Sequence, residues 1–598
     1  MKWLRYSLWI AGTAALLLWL AQLASRQQAV APTAEAVAQP MPPAPYPHDF
    51  ARQLRRAEGV TIALHREQEC PADLDWQSGL PAPPVGCPSA QRGGTLRLSN
   101  VGPFPANFLA FGSPSPQFFH YTLFERLEVP LVWEHPATGQ EMPGLAAAWC
   151  VRGSSIFFRL HPQARYSNGS PVRARDFALG TLLRHRSGCR TGLRELHIYG
   201  DSIVEAIPET MNATPALSVS RSLRPAEPGF YAEYSGNYAE HYAQRIPPTT
   251  GAYTVAEVQR GRLIALQRLP QWWAEALPGF RHTHNPERIE HHFLADEAQA
   301  WEMFFRGRLD MIQTRNIAAW HSKPEGEPAV ESGRIALHSL RIHRPMPPYG
   351  IAFNTRTLPD AELRRGLMQA LDMKSAIDVL FRGYAEQLPQ FTSGYRNLPH
   401  HTPQYRYNPA EARACFARAG YSEAGADGIL RRADGKKLQA KLSYTPSDKL
   451  NTLVALLCES AAACGAEIIP EPLPWQNISK QLQEGTHELT FWATMPGLPL
   501  PDYERFFHSS STGHDAPFRL QCPEMDAAIR AVQQAASPRE AAAACARVDS
   551  LIHREAIWLP GWMENRAQIA AWQHVQLPPN YSGPYEVAES HQLWLTQP

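Results

Sequence analysis

Two things are nearly absent from this chain: a net charge and a catalytic signature. Lys and Arg total 57 against 56 Asp and Glu, which leaves +1 over 598 residues. Without an excess of either sign there is no long-range field to gather nucleic acid or acidic lipid, and no Lys/Arg run builds a local basic groove. There is no GxSxG, P-loop, GxGxxG or HExxH segment. A hydrolase elbow, a phosphate cradle, a dinucleotide site and a zincin helix therefore lack local support. Triads are not local in sequence, so an exported peptidase or amidase stays open as an alternative. The nine cysteines include no CxxC pair.

What is present is an ordinary globular composition with one membrane-type segment. Hydrophobic residues make up 44% and charged residues 19%, as in ordinary globular chains. The 16 Trp suit a cleft lined by flat, rigid surfaces, and the 54 Pro imply many short, stiff connections. One membrane-type segment exists: Lys2 and Arg5 precede the apolar run Trp9 to Leu23. A positive start and a short apolar run read as a secretory leader, residues 1–24, with retention as an inner-membrane anchor as the alternative. Residues 25–60, rich in Ala, Pro and Gln at their start, read as a disordered tether. In an oxidising compartment Cys70 and Cys87 are candidates to close a Pro-rich loop as a disulfide. Cys415, Cys458 and Cys545 lie among alanines on helical stretches and read as small buried hydrophobes.

Alternation predicts strands at Ser154–Leu160, Tyr349–Asn354, Leu438–Tyr444 and Leu489–Ala493. Helices are expected at Ala174–His185, Asp360–Asp372 and Leu450–Cys464. Another runs from Asn408-Pro409 to Gly420, with Asn as cap, Pro in the first turn and Gly at the end. Met525–Ala535 and Pro538–Arg554 form a helical pair. Strands and helices alternate without a repeat, so the fold class is α/β with part of the sheet parallel.

Several segments resemble the family 5 extracellular solute-binding proteins, the peptide-binding components of ABC importers. They are Gln91 to Leu96; Tyr166 to Phe177; Thr250 to Tyr253 with Gln271-Trp272-Trp273; Phe353-Asn354-Thr355 with Leu363 to Asp372; and Tyr407 to Tyr421. The likeness covers roughly residues 90 to 580 and is greatest to the branch serving oligopeptide and microcin C-type uptake. It implies a periplasmic-binding-protein-like fold, with two lobes and an extra small domain around a cleft. On that pattern lobe 1 takes residues 61–120, 249–344 and 557–598. The small domain takes 121–248 and lobe 2 takes 345–556. The crossings fall near Arg344–Tyr349 and Ala556–Pro560. The expected role is a monomeric periplasmic protein that passes peptides or peptide-like solutes to an inner-membrane permease, without cofactor, metal or nucleic acid. A ligand sensor that docks on a membrane partner without transport is the alternative.

The family's cleft strand commonly ends in Trp-x-Ala-Asp-Tyr, whose Asp can pair with a peptide's amino terminus. Here the strand runs Phe491-Trp492-Ala493-Thr494, and a hydroxyl replaces the carboxylate. Asp502 lies eight residues on, as a substitute or as a helix cap. Phe491 and Trp492 must point to opposite faces, one to the cleft and one to the core. Trp562, Glu564 and Asn565 beyond the return crossing, and Asn107 on the other rim, complete the candidate ligand contacts. His282, His284, His291 and His292 raise a metal reading, but adjacent residues on a strand diverge, so no ligand set is assigned.

Overall fold

Three larger sheets and three two-stranded ones form among the described residues; several strands are buried on both faces. The computed structural model describes residues 46, 50, 59–111, 127–186, 191–209, 211, 214–232, 238–342, 345–395, 398, 405–494, 500–535, 537–564, 566–578 and 593–596. The leader, nearly all of the tether, and Cys189 lie outside them. Among the described residues no helix is long and apolar enough to cross a membrane.

The small domain carries a five-stranded sheet in the order Thr61–His65, Leu193–Tyr199, Ile203–Pro208, Ser155–Leu160, Ala146–Arg152. Thr61–His65 pairs in parallel with Leu193–Tyr199, so this segment belongs with the small domain's sheet and not, as expected, with lobe 1. Helix Ala174–Arg186 lies near it, with Phe177 buried beside Phe158, Leu196 and Val204. The same cluster continues into Tyr253, Ile264 and Ile289 of lobe 1, so the two units share one core. Asp176 in the first turn is buried. It accepts from Arg173 N, Tyr166 Oη and, at 2.7 Å, Tyr46 Oη, which pins the end of the tether to the small domain.

Lobe 1 is a seven-stranded sheet, ordered Ile335–Arg341, Arg566–Trp572, Met311–Thr314, Thr95–Val101, Arg288–Leu294, Leu263–Arg268, Tyr253–Gln259. Lobe 2 is a five-stranded sheet, ordered Glu467–Pro472, Gln439–Tyr444, Leu489–Ala493, Tyr349–Phe353, Trp558–Pro560. Its first three strands run parallel, with helix Asp448–Ala463 as one crossover. Parallel strands need such a connection. Ser447 caps that helix by accepting from Leu450 N, and Asn408 caps Pro409–Arg418 by accepting from Glu411 N. Trp558–Pro560, near the expected return crossing, is a buried edge strand against Gly350–Ala352. A terminal Pro is tolerated there because an edge strand leaves one side of its backbone unpaired.

Two polar residues of the segments that carry the family resemblance have structural roles. Asn354, ending its strand, donates from Nδ2 to the carbonyls of Gly485 and His487. Arg364 is buried and donates to the carbonyls of Leu358, Pro359, Glu555 and Ala556. It joins helix Ala361–Ala370 to the end of Pro538–Arg554.

The expected Cys70–Cys87 disulfide is not formed; the eight described cysteines are free. Cys70 packs with Leu74, Trp76 and Cys150, while the Cys87 thiol sits 3.1 Å from Ser89 Oγ. Cys415 and Cys545 are buried, as their alanine-rich settings suggest, and Cys458 is half-buried.

Asp549, buried on Pro538–Arg554, receives hydrogen bonds from Thr392 Oγ1 and Gln390 Nε2. Burial pushes its carboxyl up to about 7, and that of Asp176 up to about 7 in the same way. Unfolded Asp titrates near ~3.9. Between the two values the native protein keeps a proton that the unfolded chain has released, so stability is expected to fall as pH rises through this interval and to level off above it. Asp549→Asn should flatten part of that decline in urea melts run across the interval; an unchanged slope would contradict the assignment.

Candidate ligand-binding cleft

The registers define which strand ends share an edge within each of the two large sheets. In lobe 2, Tyr349 lies opposite Ala493 and Gly350 opposite Pro560, so the start of one strand and the ends of its two neighbours share a rim. In lobe 1, Arg341 lies opposite Arg566, Thr314 opposite Gln568, and Leu294 opposite Val101. The chain passes from Arg341 to Tyr349 and returns from Pro560 to Arg566. The two rims are therefore joined at these passages. Both contain carboxyl ends of strands, where open α/β sheets place their ligands.

The passages run side by side. Tyr349 N donates to Trp562 O at 2.8 Å, and Gly561 N to Tyr349 O at 2.9 Å. Met346 N points at Met563 Sδ, 3.2 Å away. The Tyr349 and Trp562 rings stack at 5.1 Å with 5° between planes. Gly561 is required by this approach, because a Cβ there would lie 2.6 Å from Tyr349 O. One apolar cluster also bridges the lobes: Leu96, Met311 and Ile569 from lobe 1, Ile342, Met346 and Met563 from the passages, and Ala352, Phe391 and Trp558 from lobe 2.

The structure brings Phe491, Trp562 and Glu564 together on the lobe 2 rim. Phe491 is half-buried, with its ring 6.2 Å from that of Trp562. Glu564 Oε1 accepts from Lys449 Nζ at 2.7 Å. That ammonium lies 5.1 Å from the Phe381 ring centre and 5.9 Å from that of Trp562. Thr494 follows the same strand end and is half-buried. Asn107 stands apart on the lobe 1 loop after Thr95–Val101, where its Oδ1 accepts from Leu109 N. Asn565 lies outside the described residues.

Two of the candidates have structural roles. Trp492 is withdrawn into the core against Phe391, Phe506 and Phe518, because its face of the strand is covered by the helices while that of Phe491 meets the rim. Asp502 is the cap of helix Tyr503–Phe507 and accepts from Arg505 N.

The histidines disperse. His284 meets Thr283 Oγ1, His291 meets Asn100, and His292 meets Glu290. Among the described residues no group of three or more His, Cys, Asp or Glu is placed to hold a metal ion.

Three rim residues were missed from the sequence. Tyr349 is held above the ordinary phenol range first by burial and then by Glu564, with Arg315 acting in the opposite sense. Arg315 is exposed just beyond the lobe 1 strand Met311–Thr314, so Tyr349 senses charge from both lobes. Lys449 carried one readable signal: it sits in the first turn of a helix, where the dipole disfavours a cation.

The profile of the bacterial extracellular solute-binding proteins, family 5 (middle region), matches residues 141–515, more than half of the chain. The chain belongs to this family. Curated relatives from Brucella melitensis and Brucella abortus, named as binding proteins, are 27% identical over 250 residues, 40% of this chain. The chain spans about 40% of their length. Among solved family 5 folds, the oligopeptide-binding protein AppA from Bacillus subtilis, in complex with a nonapeptide, superposes with a TM-score of 0.66 at 16% identity. That match covers 85% of this chain and 100% of AppA. NikA from Brucella suis, in complex with Fe(III)-EDTA, gives 0.68 at 19% identity over 84% of this chain and 100% of its own. These likenesses establish the periplasmic-binding-protein fold, and family and fold alike are those of binding proteins.

Asp502→Ala should lower stability by about 1 kcal/mol, the usual worth of a cap. Ligand affinity should stay unchanged by calorimetry; a large affinity loss would return Asp502 to the cleft. Gly561→Ala should lower stability by roughly 1–3 kcal/mol, read as a lower urea midpoint at constant m-value, since the backbone must give way to a methyl group. An unchanged midpoint would show that the paired passages are not tightly held.

Proposed function

We propose that this protein captures oligopeptides or peptide-like compounds between its lobes and delivers them to an ABC permease in the inner membrane, acting as a periplasmic monomer. The observation that carries the reading is the pair of strand-end rims joined by two adjacent passages, with aromatic rings and charged side chains at them. A ligand that touches both rims binds the closed arrangement better than the open one and so draws the lobes together. A peptide suits such rims because its backbone bonds as an added strand while its side chains enter wet pockets. AppA, of the same fold, is a peptide binder by its name and its bound nonapeptide, which supports the choice of ligand.

The test is native mass spectrometry of protein prepared from periplasm, with any released ligand sequenced. The expected result is a set of peptides of mixed sequence and narrow length. A short peptide that binds should also raise stability by about 2.7 kcal/mol when present at a hundred times its dissociation constant. Co-purification of a metal chelate, or failure of a peptide pool to bind in calorimetry, would contradict the peptide assignment.

A further inference from the structure

The Lys449–Glu564 pair is more than a surface ion pair. Its ammonium faces two buried rings: Phe381, 3% exposed, and Trp562, 1% exposed. Their centres are 5.3 Å apart, and Tyr349 backs Trp562. Ring faces attract cations and not anions, and a carboxylate beside them adds to that preference. The Lys449 side chain is 41% exposed while that of Glu564 is 16% exposed. The walls are thus fixed by packing, whereas the occupant sits on a flexible four-carbon stem that can leave for water.

We propose that Glu564, Phe381 and Trp562 form a cation-accepting box on the lobe 2 rim that receives the ammonium group of an arriving ligand, and that Lys449 occupies this box until the ligand displaces it. The inference rests on the peptide reading above for its ligand class, but not for the box itself. It also accounts for a neutral Thr494 at the strand end: the negative charge that would meet an amino terminus comes from the return passage instead. An internal competitor makes the site selective, because a ligand must outbid an ammonium held at high effective concentration.

The box can be tested without any peptide. In Lys449→Ala the missing portion of the side chain has the composition of n-propylammonium. The thermal midpoint of K449A is expected to rise on adding n-propylammonium chloride, relative to potassium chloride at equal concentration. Neither the wild type nor K449A/E564Q should respond. A response in K449A no larger than in K449A/E564Q would overturn the box. If the truncation unfolds the chain, Lys449→Met, which keeps the stem without the charge, serves in the second measurement.

That measurement is calorimetry with trialanine and N-acetyl-trialanine. Removing the competitor in K449A or K449M should tighten trialanine on the order of tenfold, the scale of a charge-assisted hydrogen bond, and leave the acetylated peptide unchanged. Glu564→Gln should erase the difference between the two peptides. A propylammonium response without peptide binding keeps the box and removes the peptide reading. Peptide binding that ignores both the acetyl group and Glu564 removes the box and keeps the peptide reading.

Discussion

The arrangement depends on the pairing of the two passages between the lobes. Tyr349 and Gly561–Met563 are tied by backbone hydrogen bonds and by a stacked ring pair, so the passages behave as one ribbon. A single flexible strand would leave the lobes free to rotate about any axis. Two passages tied to each other at Tyr349 leave fewer axes of rotation than one would. The apolar cluster from Met311 and Ile569 through Met346 and Met563 to Phe391 and Trp558 lies against the ribbon. Any closure has to keep those groups buried, because exposing apolar surface costs roughly 25 cal/mol per Å².

Beyond this ribbon the site is built by strand ends. Rings packed into lobe 2 supply rigid walls, and charges on longer side chains, Lys449, Glu564 and Arg315, stand at the openings. The division follows from physical chemistry. Aromatic rings lose little entropy on fixing and bury large areas, whereas ammonium and guanidinium heads stay near water unless paired. The cleft therefore pairs a stiff apolar floor with adjustable polar contacts, a combination suited to ligands with a constant backbone and variable side chains.

Much of the fold was legible because the segments that carry the family resemblance are structural. Asn354 and Arg364 satisfy carbonyls, Asp176 collects hydroxyls and a backbone N–H, and Asn408 caps a helix; each role leaves a local mark in the sequence. The cleft was less legible for the opposite reason. Strand periodicity shows that Phe491 and Trp492 face opposite ways but not which way is the core, since that depends on helices formed elsewhere. The partners Lys449 and Glu564 are 115 residues apart and meet only through sheet register. Pro560 is tolerated because it ends an edge strand, and the chain leaves that strand at Gly561. Asp502 showed both of its meanings in the sequence, and only the geometry at Arg505 N decided between them.

The central claim is that the lobes close about the paired passages when a peptide-like ligand bridges the rims. Small-angle X-ray scattering of the full chain, with and without a pool of short peptides that calorimetry shows to bind, tests it most directly. A fall in the radius of gyration on binding, absent when only buffer or non-binding peptide is added, is the predicted result. Binding that leaves the scattering curve unchanged would contradict a closing cleft.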